Sequence, residues 1–155
     1  MTPAEDPRPL YFAGIAQNGR LVAAVRLDQL DSPTPCPEYD VRALIAHLLG
    51  GLRRVTHVAT GGDAFDVPRV VTGVADGEWS AEYEAAEAAL VEVWRDDAVL
   101  DRTMTLPFGT MPGRGAAAAF VVEVATHGWD LAAATGQEGA LDPEIGSAAL
   151  ELTRE

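Results

Sequence analysis

Apolar residues recur at helical spacing in four long stretches of this chain, and clusters of proline and glycine stop each of them. Tyr11, Phe12, Ile15, Val22 and Val25 fall mostly on one face and predict a first helix over about residues 9–25. Pro33, Pro35 and Pro37 then hold the backbone extended, and Asp40 offers a carboxylate to cap a second helix reaching about residue 59. Val41, Leu44, Ile45, Leu48, Leu52 and Val55 form its apolar stripe, and Gly61 with Gly62 ends it. Residues 60–79 lack periodicity and read as a long connection. A third helix is expected behind Ser80 as N-cap, packing Tyr83, Ala86, Leu90, Val93 and Trp94 and ending near residue 97.

Residues 103–106 have strand character, and Pro107, Gly109, Pro112, Gly113 and Gly115 break helix. They predict a small hairpin or ordered loop ahead of a fourth helix over about residues 116–135, closed by Gly136. Asp142 as N-cap and Pro143 in the first turn start a fifth helix, inside which the chain is expected to stop. No internal repeat is present, and two long connections join the four long helices. The pattern therefore predicts an all-α four-helix bundle with a crossover connection, one domain over residues 1–155.

Composition narrows the chemistry. A net charge of -13, from 24 acidic against 11 basic groups, repels nucleic acid and anionic membrane surfaces. Every basic residue is arginine, so lysine Schiff-base chemistry and a phosphate-loop lysine are excluded. A single cysteine, Cys36, forms no internal disulfide, and the first ten residues lack the basic start and apolar run of a secretory signal, so a cytoplasmic setting is expected. The longest near-apolar run, residues 116–125, is interrupted by Glu123 and falls short of the roughly 20 residues that span a bilayer.

Glu123 and His127 stand one turn apart in the fourth helix. At about 100° per residue they share an arc with Phe120, Val124, Leu131 and Ala134, the width of a core-facing stripe. A carboxylate among core positions demands a counter-charge, a metal or a proton, so we expect the pair to ligate a divalent metal; the competing reading is a plain Glu–His pair at the bundle rim. A third ligand must come from another helix, and His47, flanking the second helix's stripe beside Gly51, is the better candidate of the two remaining histidines. His57 points away and complements the helix dipole. Asp130 is placed to orient a ligand imidazole, and Trp129 reads as packing structurally or at an interface. Cys36 is either a reactive thiol near the site or, as the commoner case, a packed or inert loop cysteine; Arg53 and Arg54 either attract an anionic substrate or, as helical charges usually are, stand solvated.

The segment TPCPEYDVRALIAHLLGG, followed about 70 residues later by EVATHGWDLAAATGQ, resembles the DinB-like metal-binding proteins of actinobacteria, in the group related to mycothiol-dependent maleylpyruvate isomerase. The resemblance extends through LDRTMTLPFGTMPG and covers nearly the whole chain. It implies a crossover four-helix bundle with a zinc-type site whose ligands, by motif position, are His47, Glu123 and His127. Three such ligands leave a fourth position open. The resemblance implies mycothiol there, acting on a small electrophile in a transferase or isomerase-like reaction. Water in its place would make the protein a hydrolase, and a non-catalytic metal-binding dimerisation module is the reading from a different class. A homodimer is the expected assembly if the chain pairs. Relatives tend to continue beyond this point, so the chain is expected to be trimmed at its C-terminus.

Overall fold

The computed structural model describes residues 6–154. Among them the sequence forms α1 (Arg8–Ala24), α2 (Val41–Ala59), α3 (Trp79–Trp94), a short α4 (Ala98–Asp101), strands β1 (Thr103–Leu106) and β2 (Gly109–Pro112), α5 (Gly113–Thr135) and α6 (Pro143–Leu152). Among the described residues no helix is long and apolar enough to cross a membrane.

The four long helices bury one core, with Tyr11, Ile15, Leu44, Leu49, Leu90, Trp94, Val121 and Leu131 essentially sealed from solvent. Helix α1 packs on α5 and α3, and α2 packs on α3 and α5, so the circuit around the bundle is α1, α3, α2, α5. Successive helices α1 and α2 therefore stand diagonally, as do α3 and α5. These are the crossovers of the predicted bundle, and they set α2 beside α5.

Local chemistry accounts for most of the boundaries. The Asp40 carboxylate accepts from the Ala43 amide at 2.8 Å and starts α2 as expected. Asp142 likewise caps α6, accepting from the Glu144 amide at 2.9 Å. Strands β1 and β2 pair antiparallel, Thr103 opposite Pro112 and Leu106 opposite Gly109, giving the expected hairpin.

Three expectations are corrected. Helix α3 begins at Trp79, with Glu78 and not Ser80 at the N-cap, because burial of the Trp79 ring draws the helix start back into the core; it ends at Trp94. Helix α5 begins at Gly113 rather than residue 116. A Cβ on Gly113 would lie 2.0 Å from the Val99 carbonyl oxygen, so glycine is what lets the helix start against α4. Helix α6 ends at Leu152 with Thr153 at its C-cap instead of running on. Glu155 and residues 1–5, the start of the stretch read for a leader, lie outside the described residues.

Candidate functional site

Where α2 faces α5, the three residues singled out from the sequence converge. One ligand atom each from His47, Glu123 and His127 lies within 4.8 Å of the others. Nε2 of His47 is 3.1 Å from Glu123 Oε1, and Nε2 of His127 is 3.4 Å from the same oxygen. The two imidazoles stand edge to face with centroids 4.9 Å apart. His57, left out on sequence grounds, is elsewhere, paired with Asp66 at 3.0 Å.

The outer ring nitrogens fix the tautomers. His47 Nδ1 is 3.2 Å from the Arg69 carbonyl oxygen, which can only accept, so Nδ1 carries the hydrogen and donates it. His127 Nδ1 donates to the Asp130 carboxylate at 3.0 Å, as expected of Asp130. In the neutral rings both Nε2 atoms are then lone pairs. Two acceptor nitrogens stand 3.1 and 3.4 Å from one carboxylate oxygen, all three within 4.8 Å of one another, an arrangement that calls for a cation or a proton between them.

The electrostatics follow. With a proton on Nε2, hydrogen bonds from His127 and then His47 hold the Glu123 carboxyl far below the usual carboxylate range, against the opposing effect of burial. Burial pulls the His127 pKa down, but its hydrogen bonds and charge interactions with Glu123 and Asp130 leave it raised above the ordinary histidine value.

One expectation shifts. Glu123 is not enclosed by the core: its side chain is 49% exposed, whereas those of His47 and His127 are 10% and 13% exposed. The buried face of α5 runs through Ala117, Val121, Val124, Gly128 and Leu131, about one position round from the predicted stripe. Gly14 and Gly128 set that rotation: a Cβ on Gly14 would lie 2.6 Å from Val124, and one on Gly128 would lie 2.3 Å from the Asn18 carboxamide oxygen. Close approach of α1 thus turns Glu123 toward the rim, where it meets a cavity.

That cavity, about 320 Å³, also touches His47, Tyr11, Arg54, Arg69 and Phe120. The Tyr11 ring is 1% exposed and stacks on Phe120 at 5.9 Å; burial and then the Glu123 charge push its phenol pKa up, so it remains a neutral donor. Two contacts had no sequence signal. Tyr39 stacks on His47 with centroids 5.0 Å apart, and the Arg69 carbonyl comes from the aperiodic connection after α2. Cys36 is half-buried, its sulfur within 4.8 Å of ligand atoms of His127 and Asp130. Trp129 faces solvent at 52% exposure.

Similarity to known proteins places the chain's family and fold. Two uncharacterized proteins from strains of Mycobacterium tuberculosis are each 37% identical over 134 residues, spanning 86% of this chain and 70% of theirs. A crystal structure of a histidine-to-alanine mutant of the mycothiol-dependent maleylpyruvate isomerase superposes with a TM-score of 0.74 at 17% identity, covering 98% of this chain and 68% of that one. A second structure of that isomerase gives 0.63 at 19% identity over 84% and 61% of the respective chains. These likenesses establish the isomerase's DinB-like fold. Residues 11–132 match the sequence profile of the mycothiol maleylpyruvate isomerase N-terminal domain, and the chain belongs to that family.

Proposed function

We propose that His47, Glu123 and His127 hold a divalent metal, zinc by preference, and that the protein joins a low-molecular-weight thiol, mycothiol, to a small electrophile in a transferase or isomerase-like reaction. The observation that carries the metal assignment is the convergence of three acceptors with both outer ring nitrogens committed elsewhere. The spacing suits zinc. Bonds of about 2.0–2.1 Å in tetrahedral geometry place ligand atoms about 3.3–3.4 Å apart, against 3.1 and 3.4 Å here. A bound divalent ion would supply a Lewis acid that lowers the pKa of a thiol or water brought to it.

The chain's own residues do the rest. Asp130 and the Arg69 carbonyl hold the imidazole tautomers, and Tyr39 fixes the plane of His47. The exposed edge of Glu123 opens onto the cavity, where Leu106, Phe108 and Phe120 supply apolar walls, so a thiol and an electrophile can meet there. Family membership and the mycothiol dependence of the isomerase that shares the fold support the choice of thiol.

The test incubates zinc-loaded protein with mycothiol and chlorodinitrobenzene. In this reaction the thiolate sulfur bonds to the ring carbon and chloride leaves. Mass spectrometry is expected to find the thioether accumulating faster than in protein-free controls. A rate indifferent to the protein, or substrate consumption that proceeds equally without thiol, would overturn the thiol reading.

A further inference from the structure

Of the two arginines that line the cavity beside the three-residue cluster, Arg54 is the one without a carboxylate partner among the described residues. Arg54 follows His47 by seven residues, two turns along the same face of α2, so its Cα lies about 10 Å further along the axis. Its guanidinium donates from Nε and Nη2 to the Val67 carbonyl oxygen at 3.2 and 2.7 Å, and it has no carboxylate partner among the described residues. Its neighbours differ: Arg53 pairs with Glu82 at 2.6 Å, and Arg69 with Glu38 at 3.5 Å. Glu123, at the His47 end, is the one acidic residue lining the cavity among the described residues.

The ground between the two ends is open and apolar. A Cβ on Gly51, midway between His47 and Arg54, would meet nothing within 4 Å. Leu48, Leu52, Val55, Leu106, Phe108 and Phe120 supply the walls. In a chain of net charge -13, an arginine anchored by a backbone carbonyl and facing an apolar cavity is a preorganised receptor for one anionic group. Two carboxylates would leave one without a free cation.

We propose that the cavity takes a small apolar monoacid laid along α2 over Gly51, its carboxylate on Arg54 and its electrophilic carbon at the His47–Glu123 end. This names the electrophile class for the thiol reaction above and rests on that reading for the role of the reactive end. The Tyr11 hydroxyl, with no hydrogen-bond partner among the described residues, is the donor available to a carbonyl oxygen on such a ligand.

Calorimetric titration of the zinc-loaded and the metal-free full chain with phenylbutanoate and its neutral amide, phenylbutanamide, tests the assignment. Wild type is expected to bind the acid about tenfold or more tighter than the amide in both forms, the strength of a hydrogen bond to a charged group. Arg54→Gln should lose that preference with amide affinity unchanged, and Arg54→Lys should keep part of it. Gly51→Leu should abolish binding of both probes without changing zinc stoichiometry. Equal affinity for acid and amide in wild type, or a preference that survives in Arg54→Gln, would overturn the proposal. A preference present only with zinc would also overturn it, since the metal would then be the anchor. A chain that binds no zinc but keeps the Arg54-dependent preference would defeat the metal reading and leave this one standing.

Discussion

Zinc affinity is expected to fall by more than about 100-fold when His127 is replaced by alanine. Losing a group that merely orients a ligand imidazole costs about 10–100-fold in affinity, and losing the imidazole itself must cost more. Asp130→Ala supplies the lower rung of the comparison, because it frees His127 Nδ1 while sparing Nε2. Its expected penalty is the 10–100-fold of an orienting residue. Competition titrations against a chromophoric chelator measure both. Acidity should act in the same direction: only neutral imidazole ligates, and His127 is raised above the ordinary histidine value. Wild-type affinity should therefore drop by at least about tenfold per pH unit below that raised value, the factor for the one proton that His127 must release. Glu123, held far below the carboxylate range, adds no pH dependence there. Equal affinities for wild type and His127→Ala would contradict the ligand assignment.

The second large effect is expected at Gly50. A Cβ there would lie 2.5 Å from the Arg69 carbonyl oxygen and 2.8 Å from that of Pro68, both backbone atoms that cannot swing aside. Gly50→Ala must push the loop off α2, at an overpacking cost of about 1–3 kcal/mol. The displaced carbonyl is the acceptor of His47 Nδ1, so zinc affinity should fall by about 10–100-fold as well. Gly51→Ala is the control. Its Cβ meets nothing within 4 Å, and exchanging a helical glycine for alanine should stabilise by up to about 1 kcal/mol. Denaturant midpoints and zinc titrations of the two variants separate the effects; loss of stability in both, or in neither, would refute the packing argument.

These two sites show what was legible in the sequence. Helix α2 could be drawn almost to the residue because prolines precede it, Asp40 caps it and its apolar positions form one clean stripe. Helix α5 could be detected but not rotated correctly. Glycine, alanine and valine surround much of it, so its buried face is chosen by where α1 can approach Gly128, a tertiary fact with no period of its own. For the same reason the sequence named Glu123 and His127 from their spacing yet misjudged how open Glu123 is.

The third partner was harder. His47 sits off the centre of its stripe, and it was the resemblance across two motifs, rather than periodicity, that supplied it. The groups that hold it, a backbone carbonyl at Arg69 and the ring of Tyr39, come from loops whose path depends on the folded chain. For Arg53 and Arg54 alike the sequence leaves two readings, a solvated charge, as helical arginines usually are, or an attractor of anionic substrate. Only the cavity geometry distinguishes Arg54 from Arg53, one residue away and paired with Glu82.

The central claim is that His47, Glu123 and His127 form one metal site, and native mass spectrometry with elemental analysis of the purified full chain tests it most directly. Wild type is expected to carry one divalent metal per chain, and Glu123→Ala and His47→Ala, folded by circular dichroism, are expected to carry none. A wild-type chain that stays metal-free after incubation with zinc, or variants that retain the metal at wild-type stoichiometry, would contradict it.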